Sequence, residues 1–158
     1  KNYAQLLEGD IEAQIFSGKV KNLSEFLSGS PQNKILKKLK PNAPIKVTYH
    51  DPCQMGNGAG LYSFPREILK SFPEVQFVEM EEANWCCGGA GTYCLKHPNL
   101  ADDVLDRKIE NIKKSGAKVV LTQASSCLMH IQYGLRKKGW DQDIRVLHLA
   151  EFIKERLK

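Results

Sequence analysis

Four of the five cysteines stand at Cys53, at the adjacent pair Cys86 and Cys87, and at Cys127, and each follows an apolar, β-rich run. Thiolates bind soft and borderline metals and carry redox chemistry, so thiols that follow successive strands of one sheet converge and read as a metal or redox site. Their settings are His50-Asp51-Pro52-Cys53, Trp85-Cys86-Cys87-Gly88-Gly89-Ala90-Gly91 and Ser125-Ser126-Cys127, each of which is expected to place its thiol in a turn. Cys127 should open a helix that runs through Leu128, Ile131 and Leu135 to Gly139, with Ser125 or Ser126 as N-cap. The free amides and positive end of that helix would lower the Cys127 pKa. Gly88 and Gly89 leave the backbone after Cys87 bare, which lets a bulky cofactor approach and supplies N–H donors to its sulfurs.

Several chemistries compete for these residues. Adjacent cysteines do not easily take two corners of one tetrahedral zinc site but can bind different irons of a larger cluster, and the sequence has no pair of cysteines separated by two residues, the usual mark of structural zinc. Zinc remains the alternative to an iron–sulfur cluster. A nucleophilic thiol would use Cys127 or Cys53 with His50, His130 or His148. Cys94 falls in a helical stretch and is expected to pack against the core, His130 to sit on the helix opened by Cys127, and His148 to cap the last helix or line the crevice. Gly56-Asn57-Gly58-Ala59-Gly60 lacks the spacing of a dinucleotide-binding loop and reads as a loop wrapping the crevice. Pro65 belongs in the first turn of the following helix, from which Arg66 faces solvent or an anionic cluster.

The elements that must position the thiols follow from periodicity. Short β-branched runs bounded by breakers predict strands at 45–49, 75–78, 118–122 and 144–147. Helical spacing separates them, as in Ala101, Val104, Leu105, Ile109 and Ile112. Strands joined through helices run parallel, and an open parallel sheet binds ligands beyond the carboxyl ends of its strands. The fold class is therefore α/β, a Rossmann-like open sheet of about four mostly parallel strands flanked by helices, with all four cysteines at its carboxyl edge.

At 158 residues the chain can bury roughly two thirds of its unfolded surface in one domain without disulfides. We assign 45–158 to that α/β domain and the lysine-rich residues 1–44 to a helical, partly peripheral linker segment. The net charge of +5 arises from basic residues interleaved with acidic ones, and Arg136-Lys137-Lys138 closes a helix where cations suit the dipole, so no nucleic-acid footprint is present. No apolar stretch approaches the roughly 20 residues of a membrane span, and no leader opens the chain, which points to a soluble, cytoplasmic protein. An adjacent Cys-Cys pair is unlike a secreted disulfide framework and fits a reducing compartment. The start at Lys1 without methionine hints at a piece of something longer.

The run HDPC at 50–53, a gap of 32 residues, CCGGAGTY at 86–93, and SSCLMHI at 125–131 resemble the cysteine-rich CCG domain of heterodisulfide reductases, lactate-utilisation proteins and the glycolate oxidase iron–sulfur subunit. PREILKSFPEVQFVEM, DRKIENIKKSGAKVVLT, CLMHIQYGLRKKG and VLHLAEFI resemble the C-terminal third of the last of these, so the likeness covers nearly the whole chain from Ile45 onward. The resemblance implies a second CCG repeat, separated from a ferredoxin-like part and a first repeat. It further implies cluster ligands at Cys53, Cys86, Cys87 and Cys127 with Gly88 and Gly89 beside them, and electron transfer from a flavin-containing 2-hydroxyacid oxidase subunit to quinone or another acceptor. Contact with the membrane would be indirect, through that complex, and the domain alone would have no turnover. The heterodisulfide reductase form carries one more cysteine where this chain has Ala124, which counts against five-thiolate ligation and disulfide cleavage. Four thiolates suffice for a 4Fe-4S cluster.

Overall fold

The computed structural model describes residues 2–28 and 43–157. Helices α1 (Tyr3–Leu6), α2 (Ile11–Lys19) and α3 (Leu23–Ser28) lead to strand β1 (Ile45–Tyr49), followed by α4 (Cys53–Ala59), α5 (Ser63–Lys70) and β2 (Val75–Phe77). Then come α6 (Tyr93–Lys96), α7 (Pro98–Ser115), β3 (Val119–Thr122), α8 (Ser125–Lys137), β4 (Arg145–His148) and α9 (Leu149–Lys154). The strands form one sheet in the order β2-β1-β3-β4. All neighbours are parallel, with Val47 opposite both Phe77 and Val119, Tyr49 opposite Leu121, and Thr122 opposite His148. Strand boundaries shift by a residue from the sequence reading, since Val78, Lys118 and Ile144 fall outside and His148 inside.

That strand order places the site. The chain leaves β1 for β2 on one side, then crosses back to β3 on the other, so β1 and β3 lie side by side while their outgoing connections diverge. A crevice opens where connections diverge at the carboxyl edge of such a sheet. β3 is buried at every position, as a central strand covered on both faces requires.

Alternation along the strands divides the core in two. Val47, Tyr49, Val119 and Leu121 pack with Ile68, Leu69 and Phe72 around α5 and with Leu149, Phe152 and Ile153 around α9. Val120, on the opposite face, packs with Leu105, Ile109 and Ile112 of α7 and Ile131 and Leu135 of α8. α7 presents the predicted stripe, with Ala101, Leu105, Ile109 and Ile112 buried and Val104 half-buried at its edge, and ends at Gly116, whose φ of 68° suits a left-handed cap. α8 approaches α7 closely at Gly134, where a Cβ would lie 2.7 Å from Ile109. Each fully buried leucine or isoleucine contributes about 1.5–3 kcal/mol of transfer free energy.

Residues 2–28 carry three short helices joined by short connections, and α3 is more than peripheral, because Leu27 enters the core beside α5. The remainder of the expected 1–44 linker, at 29–42, lies outside the described residues. The glycine-rich run at 56–60 differs from expectation. Its first four residues complete α4, and the chain turns only at Gly60, whose φ of 67° ends the helix. Among the described residues no helix is long and apolar enough to cross a membrane.

Candidate metal centre

Three strand ends feed the site. β1 runs into His50, whose N–H donates to the Leu121 carbonyl at 2.8 Å and so continues the pairing with β3. The next amide, of Asp51, donates instead to Ala83 at 3.0 Å, in the loop that leads to the cysteine pair. Pro52, fixed in the extended region, precedes Cys53 at the first position of α4. Cys86 and Cys87 sit in the irregular segment after β2, and Cys127 lies in the first turn of α8, after β3. Cys53 and Cys127 thus belong to helices, and only the adjacent pair occupies a turn. The N-cap of α8 is Ala124, without a side-chain bond, rather than either serine. The alanine fits because α8 has already begun at Ser125.

The five side chains come together. The ligand-capable atoms of His50, Cys87 and Cys127 lie within 4.8 Å of one another. The remaining thiols join them, since Cys53 feels Cys86 and Cys87, and Cys127 feels Cys87, Cys53 and Cys86. No disulfide joins any of the thiols. Cys87 is buried and belongs to the second core cluster, Cys53 and Cys127 are half-buried, and Cys86 is exposed.

Electrostatics sort the thiols. The Cys127 thiol donating to its sulfur, helped by the His50 imidazole and the Gly89 amide, outweighs burial and draws Cys87 down to about 4. Cys127 moves the opposite way from the sequence expectation, raised by that same bond to Cys87 and then by burial. The helix end is overridden because a neighbouring thiolate at bonding distance acts more strongly than partial charges at the helix terminus. Cys53 is also raised, first by burial and then by Cys86.

Gly88 N–H donates to Cys86 Sγ at 3.3 Å, and the Gly89 amide faces Cys87. Gly88 has φ 85°, and a Cβ there would lie 2.5 Å from the Ala101 backbone oxygen. Only glycine permits this loop to lie so close to α7.

The pattern of the cysteine-rich CCG domain matches residues 47–132. This chain belongs to that family. The CCG chain is 37% identical over 134 residues to the B component of the fumarate reductase (CoM/CoB) of Methanothermobacter marburgensis, covering 85% of this chain and 26% of that protein. It is 32% identical to a probable glycolate oxidase iron–sulfur subunit of Bacillus subtilis, over 97% of this chain and 35% of that protein. A lactate utilization protein A of Exiguobacterium is 35% identical over 73% of this chain and 46% of its own length. The CCG chain therefore spans between about a quarter and a half of these three relatives.

Around the sulfurs this CCG domain is held by polar clamps. Arg66 donates through two nitrogens to the Asp51 carboxylate at 2.9 and 2.7 Å and through two to Glu79, each at 2.7 Å. It faces neither open solvent nor the thiols. Both ring nitrogens of His50 are buried without a hydrogen bond. Cys94, on α6, is half-buried and donates to the Gly91 carbonyl at 3.5 Å, outside both core clusters among the described residues, because α6 is a single turn on the surface. His130 stacks on Tyr133 with ring centroids 6.0 Å apart, beside Gly88 and Gly89. His148 accepts from the Ala150 amide at 3.1 Å and so caps α9. Sequence reasoning missed Lys108, buried on α7 behind the cysteine loop. The signal was a lysine three residues past Leu105, inside an apolar stripe.

Proposed function

We propose that this chain holds an iron–sulfur cluster on Cys53, Cys86, Cys87 and Cys127 and serves as an electron-transfer module of a 2-hydroxyacid oxidoreductase. The convergence of four unpaired thiols at one sheet edge carries this reading. The donor set suits the group, since soft sulfur ligands select iron–sulfur clusters, glycine amides point at two of the sulfurs, and the orphaned His50 imidazole is a buried polar group awaiting a partner.

A bound 4Fe-4S cluster would supply one-electron chemistry. The protein's part is to hold the ligands and tune their surroundings. Cys53 and Cys127 come from helices anchored to adjacent strands, so their spacing is set by the sheet. Gly88 and Gly89 amides stabilise negative charge on the Cys86 and Cys87 sulfurs. Burial of His50 and Cys87 excludes water from the inner side, while exposed Cys86 marks the side from which a redox partner approaches.

By likeness to its relatives, the partners would be a flavin-containing 2-hydroxyacid oxidase subunit, with a ferredoxin-like part and a first CCG repeat in the same polypeptide. Quinone or another acceptor would take the electrons, in the cytoplasm, with the inner face of the membrane reached only through the complex. The test is iron, acid-labile sulfide and zinc analysis with a visible spectrum on protein purified without oxygen. About four iron and four sulfide per chain are expected for a 4Fe-4S cluster. One zinc without sulfide would replace the electron-transfer reading with a structural one.

A further inference from the structure

Lys108 is an anomaly of burial. It sits on the core-facing stripe of α7 between Leu105 and Ile109 and is 2% exposed. Burying an ammonium costs several kcal/mol unless charges or hydrogen bonds offset it. Among the described residues its hydrogen-bond partners are two backbone oxygens, of Glu82 and, at 3.5 Å, of Ala83. The nearby Glu82 carboxylate is taken by Arg107 and, at 2.9 Å, by Asn111.

Those carbonyls lie at a junction. Ala83 oxygen also accepts from the Asp51 amide, two residues before Cys53, so one oxygen links the Cys53 segment, the loop leading to Cys86 and Cys87, and α7. Glu82 adopts φ 56°, a left-handed conformation that a non-glycine residue holds only when its surroundings enforce it. Three α7 side chains, Arg107, Lys108 and Asn111, supply that enforcement. Burial is the largest influence on the Lys108 ammonium and lowers its pKa, and the Cys87, Glu82, Asp51 and Cys86 groups act against that burial. Arg66 already serves Asp51, and Arg107 already serves Glu82. Lys108 lines one small cavity with Cys86, and with both guanidiniums engaged by carboxylates it is the cation left to the thiol loop.

We propose that Lys108 is the resident counter-cation of the thiol centre: one buried ammonium ties the Cys86–Cys87 loop to α7 and offsets the charge of the site, making a bound cluster easier to reduce. It acts through the loop and through its field, as a positioning residue. A fixed positive charge beside a cluster favours the form that has gained an electron. The proposal rests on the electron-transfer reading for its redox part and on the hydrogen bonds alone for its tie.

The experiment uses the full chain as wild type, Lys108→Arg, Lys108→Gln and Lys108→Met, each loaded anaerobically with ferrous iron and sulfide. Iron content is measured, then the midpoint potential by titration followed in the visible spectrum. Charge-keeping Lys108→Arg should stay near the wild-type potential, and both neutral variants should be harder to reduce. Neutral variants with an unchanged potential would overturn the charge role, which a merely structural lysine could not mimic. Amide hydrogen exchange across residues 81–88 is measured on the same proteins without metal. Exchange should quicken in Lys108→Met, and unchanged protection would overturn the tie. This second measurement holds even where a neutral variant fails to retain iron. Wild-type protein that takes up no iron sinks the electron-transfer reading and with it the redox part, leaving the exchange result to decide the tie.

Discussion

His50 and Cys87 meet at the end of the sheet with their ligand atoms within 4.8 Å, the imidazole fully buried and neither of its nitrogens hydrogen-bonded. A buried polar atom left without a partner costs about 1–3 kcal/mol. Such a residue fits a structure whose partner is the bound group itself, either through a nitrogen–metal bond or through an N–H directed at sulfur.

Replacing His50 by Leu therefore separates folding from function. The metal-free variant should melt at or above the wild-type temperature, because a buried imidazole whose nitrogens find no hydrogen-bond partner gives way to an apolar side chain. Metal uptake should weaken by about 10–100-fold, the usual effect of losing a group that supports the ligands. Calorimetry of the metal-free proteins and zinc titration of both would check this. Unchanged uptake would show that His50 takes no part in binding.

The thiols themselves are distinguished by position. Cys87→Ser should abolish cluster absorption, since Cys87 is 1% exposed and in contact with His50 and Cys127. Cys94→Ser should leave the spectrum intact, because that thiol turns to the Gly91 carbonyl on a surface turn. Loss of absorption in both variants would undo the ligand assignment.

Much of this arrangement was legible beforehand, for identifiable reasons. The strand runs declare themselves because β-branched residues in a parallel sheet cluster tightly, as in Val119-Val120-Leu121-Thr122. Cysteines that follow such runs reach the carboxyl edge by topology alone. What escaped depends on contacts between distant segments. The glycine content of 56–60 argues against a helix locally, yet Gly56 leaves room on α4 for the Tyr62 ring, which lies 2.4 Å from where a Cβ would stand. The direction of the Cys127 shift depends on Cys87, 40 residues away in sequence and adjacent in space. Lys108 went unmarked because periodicity marks a face and leaves unsaid what a polar residue finds on it.

Gly88 offers a test of the loop independent of metal. Gly88→Ala combines a left-handed backbone with a clash against the Ala101 oxygen at 2.5 Å. The expected loss is about 2–5 kcal/mol, the sum of the left-handed penalty and overpacking. Gly91→Ala carries a similar φ of 60° but meets open space, so only about 1–2 kcal/mol should be lost. Urea unfolding of the two variants should rank them in that order, and equal losses would mean that α7 does not press on the loop.

Arg66 provides the sharpest test of how the polar clamp beside the site works. Its fork holds the buried Asp51 carboxylate, reaches Glu79 and donates to the Tyr62 carbonyl at 2.7 Å. Arg66→Met would leave Asp51 charged, buried and unpaired next to the Cys53 segment. Removing one partner of a fully buried pair costs about 3–5 kcal/mol, and the outer face of Arg66 stays wet, so about 2–4 kcal/mol is expected. Lysine at this position should recover only part, because an ammonium cannot fork to two carboxylates. The diagnostic variant is the double replacement Arg66→Met with Asp51→Asn. If the loss comes from the stranded carboxylate, neutralising it should return about half or more of the stability, a strongly non-additive cycle of the kind seen for directly paired groups. Denaturant midpoints for the four proteins of that cycle decide it, since additive losses would mean that Arg66 stabilises the fold through packing rather than through Asp51.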